Sequence, residues 1–446
     1  MRNHIDTRAS AQVARVVVRA IVGGFAAVVA IAKITSAQGI ARRVGSAPDG
    51  RVQFSFPARD GVCGNGRSYI QTGPNSYTGT WVGSFDDQRR VDPCVAGPVR
   101  VVLDRADRNV ISIQTYVGPP NTAPGTTDLG EFDARDAVGY LLSLAREAEG
   151  RVSRDAIMPA MLADDASATG DLLEIARDAT RPRETRRSAL SWLGHSVGAQ
   201  ATIPSSVTRS LLEVARDEND NMEVRKSALG VLARLDHGAG IPPLIDLARA
   251  NLTGDRTWLS RESLSALARS GDPRARDFLR SVVQRGDVAD DVLYTAIRGL
   301  GTEFATGRDA ELLRRTYPKL QGEKSREAVL SVVAEIGGTE NTRWLLGLAR
   351  DADAPIATRR RALQYASRAG VPIAELVRLY DSTTDPQMKE ALVGLYVQSG
   401  DRAAVDKLIA IAKNDENPGI RRRTIQQLSR SEDPRVKEFL KDLIER

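Results

Sequence analysis

The sequence predicts a mainly α-helical chain: an α-α solenoid of about nine two-helix repeats, preceded by a small disulfide-linked β module and an N-terminal signal peptide. Three observations predict it. Apolar pairs three residues apart recur at Ile157/Ala160, Leu190/Leu193, Leu229/Leu232, Leu264/Leu267, Ile297/Leu300, Leu330/Val333, Leu363/Ala366, Leu392/Leu395 and Ile425/Leu428, spaced 33, 39, 35, 33, 33, 33, 29 and 33 residues apart. A second ladder of helical segments alternates with them, beginning at Leu141, Leu172, Leu211, Leu244, Phe278, Trp344, Ala374, Lys407 and Phe439. Residues 50–118 instead alternate with period two and hold both cysteines. A fixed period near 33 with two amphipathic helices per period marks units that bury their apolar faces only against their neighbours.

Residues 1–37 read as the signal peptide. Arg2, Arg8, Arg15 and Arg19 precede an apolar run from Ala20 to Ala32, and small residues follow at Ser36 and Ala37, the order of a secretory leader and its cut. As a helix that run covers about 20 Å against roughly 30 Å of hydrocarbon, so an uncleaved anchor is the weaker alternative. Residues 38–50 are expected to be a flexible segment.

Cys63 and Cys94 lie in the contexts GVCGNG and VDPCVAG. An even cysteine count after a leader favours a disulfide over a metal site, and no His or second Cys pair is near to complete a zinc shell. Closing about 30 residues, the bridge contributes on the order of 3 kcal/mol. Around it, residues 51–118 carry strand signals: Val52, Phe54 and Phe56 alternate, as do Val99, Val101 and Leu103, and Tyr77, Trp81 and Phe85 share one parity. The turn DRADRN and the run from Val110 to Val117 make the last pair a hairpin. Gly118, Pro119, Pro120, Asn121, Pro124 and Gly125 mark a linker over 119–130, and the repeats occupy 131–446.

One unit shows the logic. Leu172, Leu173, Ile175 and Ala176 share a helical face while Glu174 and Arg177 turn outward. Pro182 stops that helix, RRSALSWLG starts the next, and Gly194 is placed to end it in the left-handed conformation. Pro355, Pro386 and Pro418 punctuate later units in the same loop, where a helix start needs no backbone donor. Such short helices are marginal alone, so stacking supplies their stability.

Units such as LLEVARDENDNMEVRKSALGVLARL and LLGLARDADAPIATRRRALQYASRAG, over about residues 137–446, resemble the HEAT-repeat family, particularly the short bacterial type also found in phycobilisome lyases. The resemblance implies a scaffold for holding partners without naming the partner. It also implies an Asp and Arg ladder between units, which assigns Arg186, Arg225, Arg359 and Arg421 to structure.

Three residues before each anchor a basic residue predominates, including Arg187, Lys226, Arg261, Arg360, Lys389 and Arg422. Stacked, these form a ridge, and two readings stand for it: a solvated face answered by acids in the preceding loops, or a binding surface for an acidic peptide, a polyanion or a phosphorylated ligand. The whole chain has 63 basic and 57 acidic residues, but without residues 1–37 it holds 58 against 56. That near-neutral balance counts against nucleic acid.

Catalytic constellations are scarce. His195 and His237 have no triad-like Ser or Cys context, the loop carboxylates offer no distinguished acid and base pair, and neither a P-loop nor a dinucleotide fingerprint is present. The sequence therefore reads as an exported, noncatalytic scaffold of protein or peptide partners in the cell envelope, with no cofactor, no metal, and no membrane span once the leader is removed. An enzyme or enzyme accessory resembling the phycobilisome lyases is the alternative, and a nucleic-acid binder resembling HEAT-like DNA glycosylases the less favoured one.

Overall fold

A computed structural model describes residues 39–73, 76–79, 94–119, 124–164, 168–197, 204–254 and 257–445. The signal peptide, and Trp81 and Phe85 of the expected strand pattern, lie outside them. The chain divides into two compact units, one up to Gly240 and one from Ile241 to Arg446.

The first unit opens with a helix, α1 (39–46), within the stretch expected to be flexible. Ile40 and Val44 are buried, and the buried Arg105 caps the helix's exit by donating to the carbonyls of Gly45, Ala47 and Pro48. Four strands follow in one sheet, in the order β6 (Asn109–Val117), β5 (Val99–Ala106), β1 (Gly50–Phe56) and β7 (Thr127–Glu131). A smaller sheet runs β2 (Cys63–Gly64), β3 (Tyr69–Gly73), β4 (Ser76–Gly79).

Alternation explains the main sheet. Val52, Phe54, Phe56, Val99, Val101 and Leu103 are all fully buried, so the expected parity holds on β1 and β5. Asp107 and Arg108, with φ of 50° and 65°, join β5 to β6 in the doubly left-handed two-residue turn that matches strand twist. On β6 the structure buries Ile113 and Val117, while Ile111, of the same parity, is exposed. β7 pairs parallel to β1 from within the stretch expected to be linker. Cys63 and Cys94 form the expected disulfide, with Cα atoms 5.2 Å apart.

The sheet is not isolated from the helices after it. The Phe54 ring meets Phe132 at 5.9 Å and Tyr140 at 6.0 Å, and Arg59 donates to the Met161 and Leu162 carbonyls. Tyr140 belongs to α2 (Ala134–Glu147), which pairs with the broken second helix α3 (Gly150–Asp155) and α4 (Ile157–Leu162). Two further pairs complete the unit: α5 (Thr169–Arg177) with α6 (Arg183–Val197), and α7 (Ser205–Arg216) with α8 (Met222–Arg234).

The second unit continues the alternation through α9 (Ile241–Arg249), α10 (Thr257–Ala268), α11 (Pro273–Gln284), α12 (Asp290–Leu300), α13 (Gly307–Thr316), α14 (Glu323–Ile336), α15 (Thr339–Arg350), α16 (Ile356–Arg368), α17 (Ile373–Ser382), α18 (Pro386–Ser399), α19 (Arg402–Asn414) and α20 (Pro418–Leu428). A lone first helix, α21 (Pro434–Ile444), ends it. Each first helix packs on its own second helix, and the second helices α10, α12, α14, α16, α18 and α20 contact one another in turn. This is the expected α-α solenoid layering.

Three local differences have physical causes. α13 is absent from the sequence ladder because its apolar stripe is short: among GRDAELLRRT only Ala310, Leu312 and Leu313 bury apolar side chains. α6 runs through Gly194 to Val197 instead of ending there: Gly194 is not among the glycines that take a positive φ, so it continues the helix rather than capping it. The third is the register of α18. Val393 and Tyr396, not Leu392 and Leu395, occupy the anchor positions: Val393 and Tyr396 are buried and Leu395 is half-exposed, while the buried Leu392 takes the place that Ala362 holds in α16.

Candidate partner-binding groove

The basic rows separate once the helices are in place. In the inner row, Arg186 Nε donates to Ala176 O at 2.9 Å, Arg225 Nε to Ala215 O at 3.1 Å and Arg359 Nε to Ala349 O at 3.3 Å. Each acceptor lies in the last turn of the preceding helix, ten residues back, where carbonyls lack intrahelical donors. The same guanidinium can also reach forward. Arg186 grips Asp220 with both terminal nitrogens, and Arg359 reaches Asp385 at 3.1 Å. Arg421 donates to Asp415 O at 2.6 Å. Arg186 and Arg359 therefore tie one repeat to the next, as the HEAT resemblance implies, while the bonds of Arg225 and Arg421 close the hairpin within their own repeat.

Lys389 joins that inner row and leaves the ridge. Its ammonium lies 3.0 Å from the buried Asp415, which also accepts from the Tyr380 hydroxyl at 2.7 Å. Arg359 to Asp385 and Lys389 to Asp415 span the same 26 residues, so the two pairs are structural equivalents. Anchoring α18 on Leu392 shifts its register by one residue and places Lys389 in the outer row. In the correct register the outer position on α18 is Glu390. Burial acts to raise the Asp415 carboxyl, but bonds from Tyr380, the Asn417 amide and Lys389 hold it below its ordinary range.

The other expected binding residues are on the surface, with different partners. In the first unit, Arg187 lies 3.4 Å from Glu184 and Lys226 lies 3.6 Å from Glu223, each within its own helix. In the second unit Arg261 meets Asp291 of the next second helix at 3.3 Å. Arg360 and Arg422 are exposed. With Tyr294, Glu327 and Glu390 between them, the outer row there is mixed rather than uniformly basic.

What the second unit does present is a groove along its second helices. Three adjoining hollows line it. The first, about 640 Å³, runs from Arg261 across Tyr294, Arg298, Lys324 and Glu327 to Tyr365. The next, about 220 Å³, shares Glu327 and reaches Arg361. The last, about 430 Å³, shares Ala357 and Arg361 and extends over α18 to Leu395 and Gln398. Together they cross five second helices. At about 10 Å per helix that is roughly 40 Å, the length of about 12 extended residues.

Six basic and three acidic side chains line these hollows, and the acids are already answered. Arg261 pairs with Asp291, while Arg361 holds Glu323 at 2.7 Å and Glu327 at 3.6 Å. The bond to Glu323 in turn raises the Arg361 pKa above its ordinary value. Arg298 pairs with Glu335 at 3.1 Å. The groove's residual charge is therefore positive. Its lining contains no His or Cys. Among the described residues no group of three or more His, Cys, Asp or Glu is placed to hold a metal ion, and no helix is long and apolar enough to cross a membrane.

His195 bonds to Ser191 O at 2.8 Å and packs on Trp192, and His237 holds a φ of 53° in a short turn. Sequence reasoning missed the groove's tyrosines, Tyr294 and Tyr365, and its small positions, because it ranked residues by charge.

The fold defines a helical-repeat solenoid, and residues 208–301 match the family model for HEAT repeats. No curated protein matches the sequence. Among solved structures, Kap121p bound to Nup53p is similar at 13% identity and a TM-score of 0.40, covering 67% of this chain and 39% of that one. A chain of the Pds5–Scc1 complex is similar at 13% identity and a TM-score of 0.33, covering 69% and 56%. Human deoxyhypusine hydroxylase in complex with glycerol is similar at 14% identity and a TM-score of 0.24, covering 52% and 83%. The chain thus spans about two-fifths of the length of the Kap121p chain.

Proposed function

We propose that this chain is an exported, noncatalytic HEAT-repeat scaffold that binds protein or peptide partners in the cell envelope. The observation that carries the reading is the groove over α10 to α18: long, shallow, lined by ion pairs and surplus cations, and shaped for an extended segment more than for a small substrate. Export is supported by the leader of residues 1–37 and by the Cys63–Cys94 bridge, which suits an oxidising compartment. The near-neutral charge without the leader disfavours nucleic acid.

Photo-crosslinking in cells tests it. A crosslinking amino acid in place of Tyr365, inside the groove, should yield adducts with an envelope protein. The same group in place of Arg343, exposed on the first helix α15, should not. Equal labelling at both positions, or adducts only with cytosolic proteins, overturns the reading.

A further inference from the structure

The hollow between α16 and α18 is the most specific part of the groove. Its walls carry Arg360, Gln364 and Gln398, and Ala391 and Gly394 open its floor. Gly394 stands inside α18, where glycine weakens a helix. No neighbour requires it: a Cβ built there meets nothing within 4 Å. The equivalent positions on the flanking second helices are Gln364 and Gln426, both exposed. Between the two flanking helices the missing side chain therefore leaves a gap, and that gap opens into the hollow.

The charges beside it are spoken for, with one exception. Arg361 is engaged by Glu323 and Glu327, Lys389 by Asp415, and Glu390 by Arg423 at 2.8 Å. Arg360 is exposed, and it forms no ion pair among the described residues. Gln364 and Gln398 each offer both a donor and an acceptor, the match for the alternating N–H and C=O groups of an extended peptide. Two carboxamides, one unanswered guanidinium and a floor without a side chain form a complementary set.

Resting on the partner-binding reading, we infer that this hollow receives an acidic side chain of an extended partner peptide. Arg360 pairs its carboxylate, Gln364 and Gln398 bond its main chain, and Gly394 admits the backbone. The hollow's 430 Å³ falls within the roughly 300–1,000 Å³ of small binding pockets, enough for one side chain and its flanking backbone.

The test uses the full chain and a fluorescein-labelled peptide of about 12 alternating Glu and Ala residues, matched to the groove's length, read by anisotropy at low salt. A Lys and Ala peptide and inorganic polyphosphate serve as controls. Gly394→Leu and Arg360→Glu should each weaken binding of the acidic peptide at least tenfold, whereas Arg187→Glu, in the first unit, should not. Gly394→Ala reports on folding, since it should raise the melting temperature. Wild-type affinity in both groove variants overturns the inference, as does no binding of the acidic peptide by the wild type. Polyphosphate competing equally in wild type and Gly394→Leu overturns it too, because charge alone then suffices. Any of these results leaves in-cell crosslinking from Tyr365 intact, so failure of this subsite and failure of the scaffold reading are distinguishable.

Discussion

Arg186 ties two repeats with one side chain: Nε donates to the Ala176 carbonyl of its own repeat, and both terminal nitrogens grip the Asp220 carboxylate of the next. Both partners in the ion pair are almost completely buried, so each satisfies a group that water cannot reach.

Arg186→Ala should therefore destabilise the first unit by about 3–5 kcal/mol, the scale for leaving one member of a buried pair alone. Arg186→Lys should recover only part of this, because an ammonium lacks the planar fork that serves a carbonyl and a carboxylate at once. Urea denaturation followed by circular dichroism measures both. A loss under 1 kcal/mol in the alanine variant would remove the inter-repeat role.

The register of α18 makes a paired prediction. Lys389→Met should lower stability by about 1.5–3 kcal/mol, since it takes a charge-assisted bond from the buried Asp415. Arg422→Met, on the exposed outer row, should stay within about 0.5 kcal/mol of wild type. Equal effects would return Lys389 to the surface ridge.

Acid stability follows from Asp309, which is fully buried. Burial pushes its carboxyl up, but bonds from Arg280, Thr306 and Arg276 outweigh that and hold it below its ordinary value. A carboxyl depressed in the folded state contributes stability that is present above its unfolded value, about 4, and is lost as pH falls through the lower folded value. Asp415 acts in the same direction. Calorimetry should show a melting temperature insensitive to these groups between pH 7 and 5, then falling below about pH 4. Asp309→Asn should melt lower at pH 7 and show a shallower acid limb.

Replacing Cys63 and Cys94 by Ser should cost about 3–4 kcal/mol, the loop-closure value for some 30 residues. The bridge joins β2 to the approach of β5, so limited proteolysis should find new cuts within 51–118 in the variant. Intact mass without reductant should show the wild type lighter by two hydrogens.

The solenoid was legible because its signal is redundant: Leu190, Leu229, Leu264, Ile297, Leu330 and Leu363 all fall in the core. Errors arose where that redundancy failed. In α18 the string ALVGLYVQ is apolar on almost every side, so two registers a residue apart fit equally well, and the Asp415 partnership decides between them. α13 erred the other way, with too few apolar residues. β7 escaped notice because TDLGE carries no strand alternation and pairs through its backbone with β1. Of the candidate site, the cations were visible but not their answers. Whether Arg261 is free or held depends on Asp291, a residue of the next helix layer, and no local pattern reports that.

The ten-residue reach from Arg186, Arg225 and Arg359 back to Ala176, Ala215 and Ala349 recurs over the connectors 178–182, 217–221 and 351–355, all of one length. The joins from one repeat to the next obey no such rule: two residues part α14 from α15 and six part α12 from α13. Tolerance to insertion should therefore alternate along the chain. A tag, a reporter domain or a new epitope spliced between repeats, clear of the Arg276 bond to the Leu300 carbonyl and of the Thr306–Asp309 cap, breaks no bond of this recurrent kind, while a single residue added inside a capped hairpin pulls the guanidinium off its carbonyl.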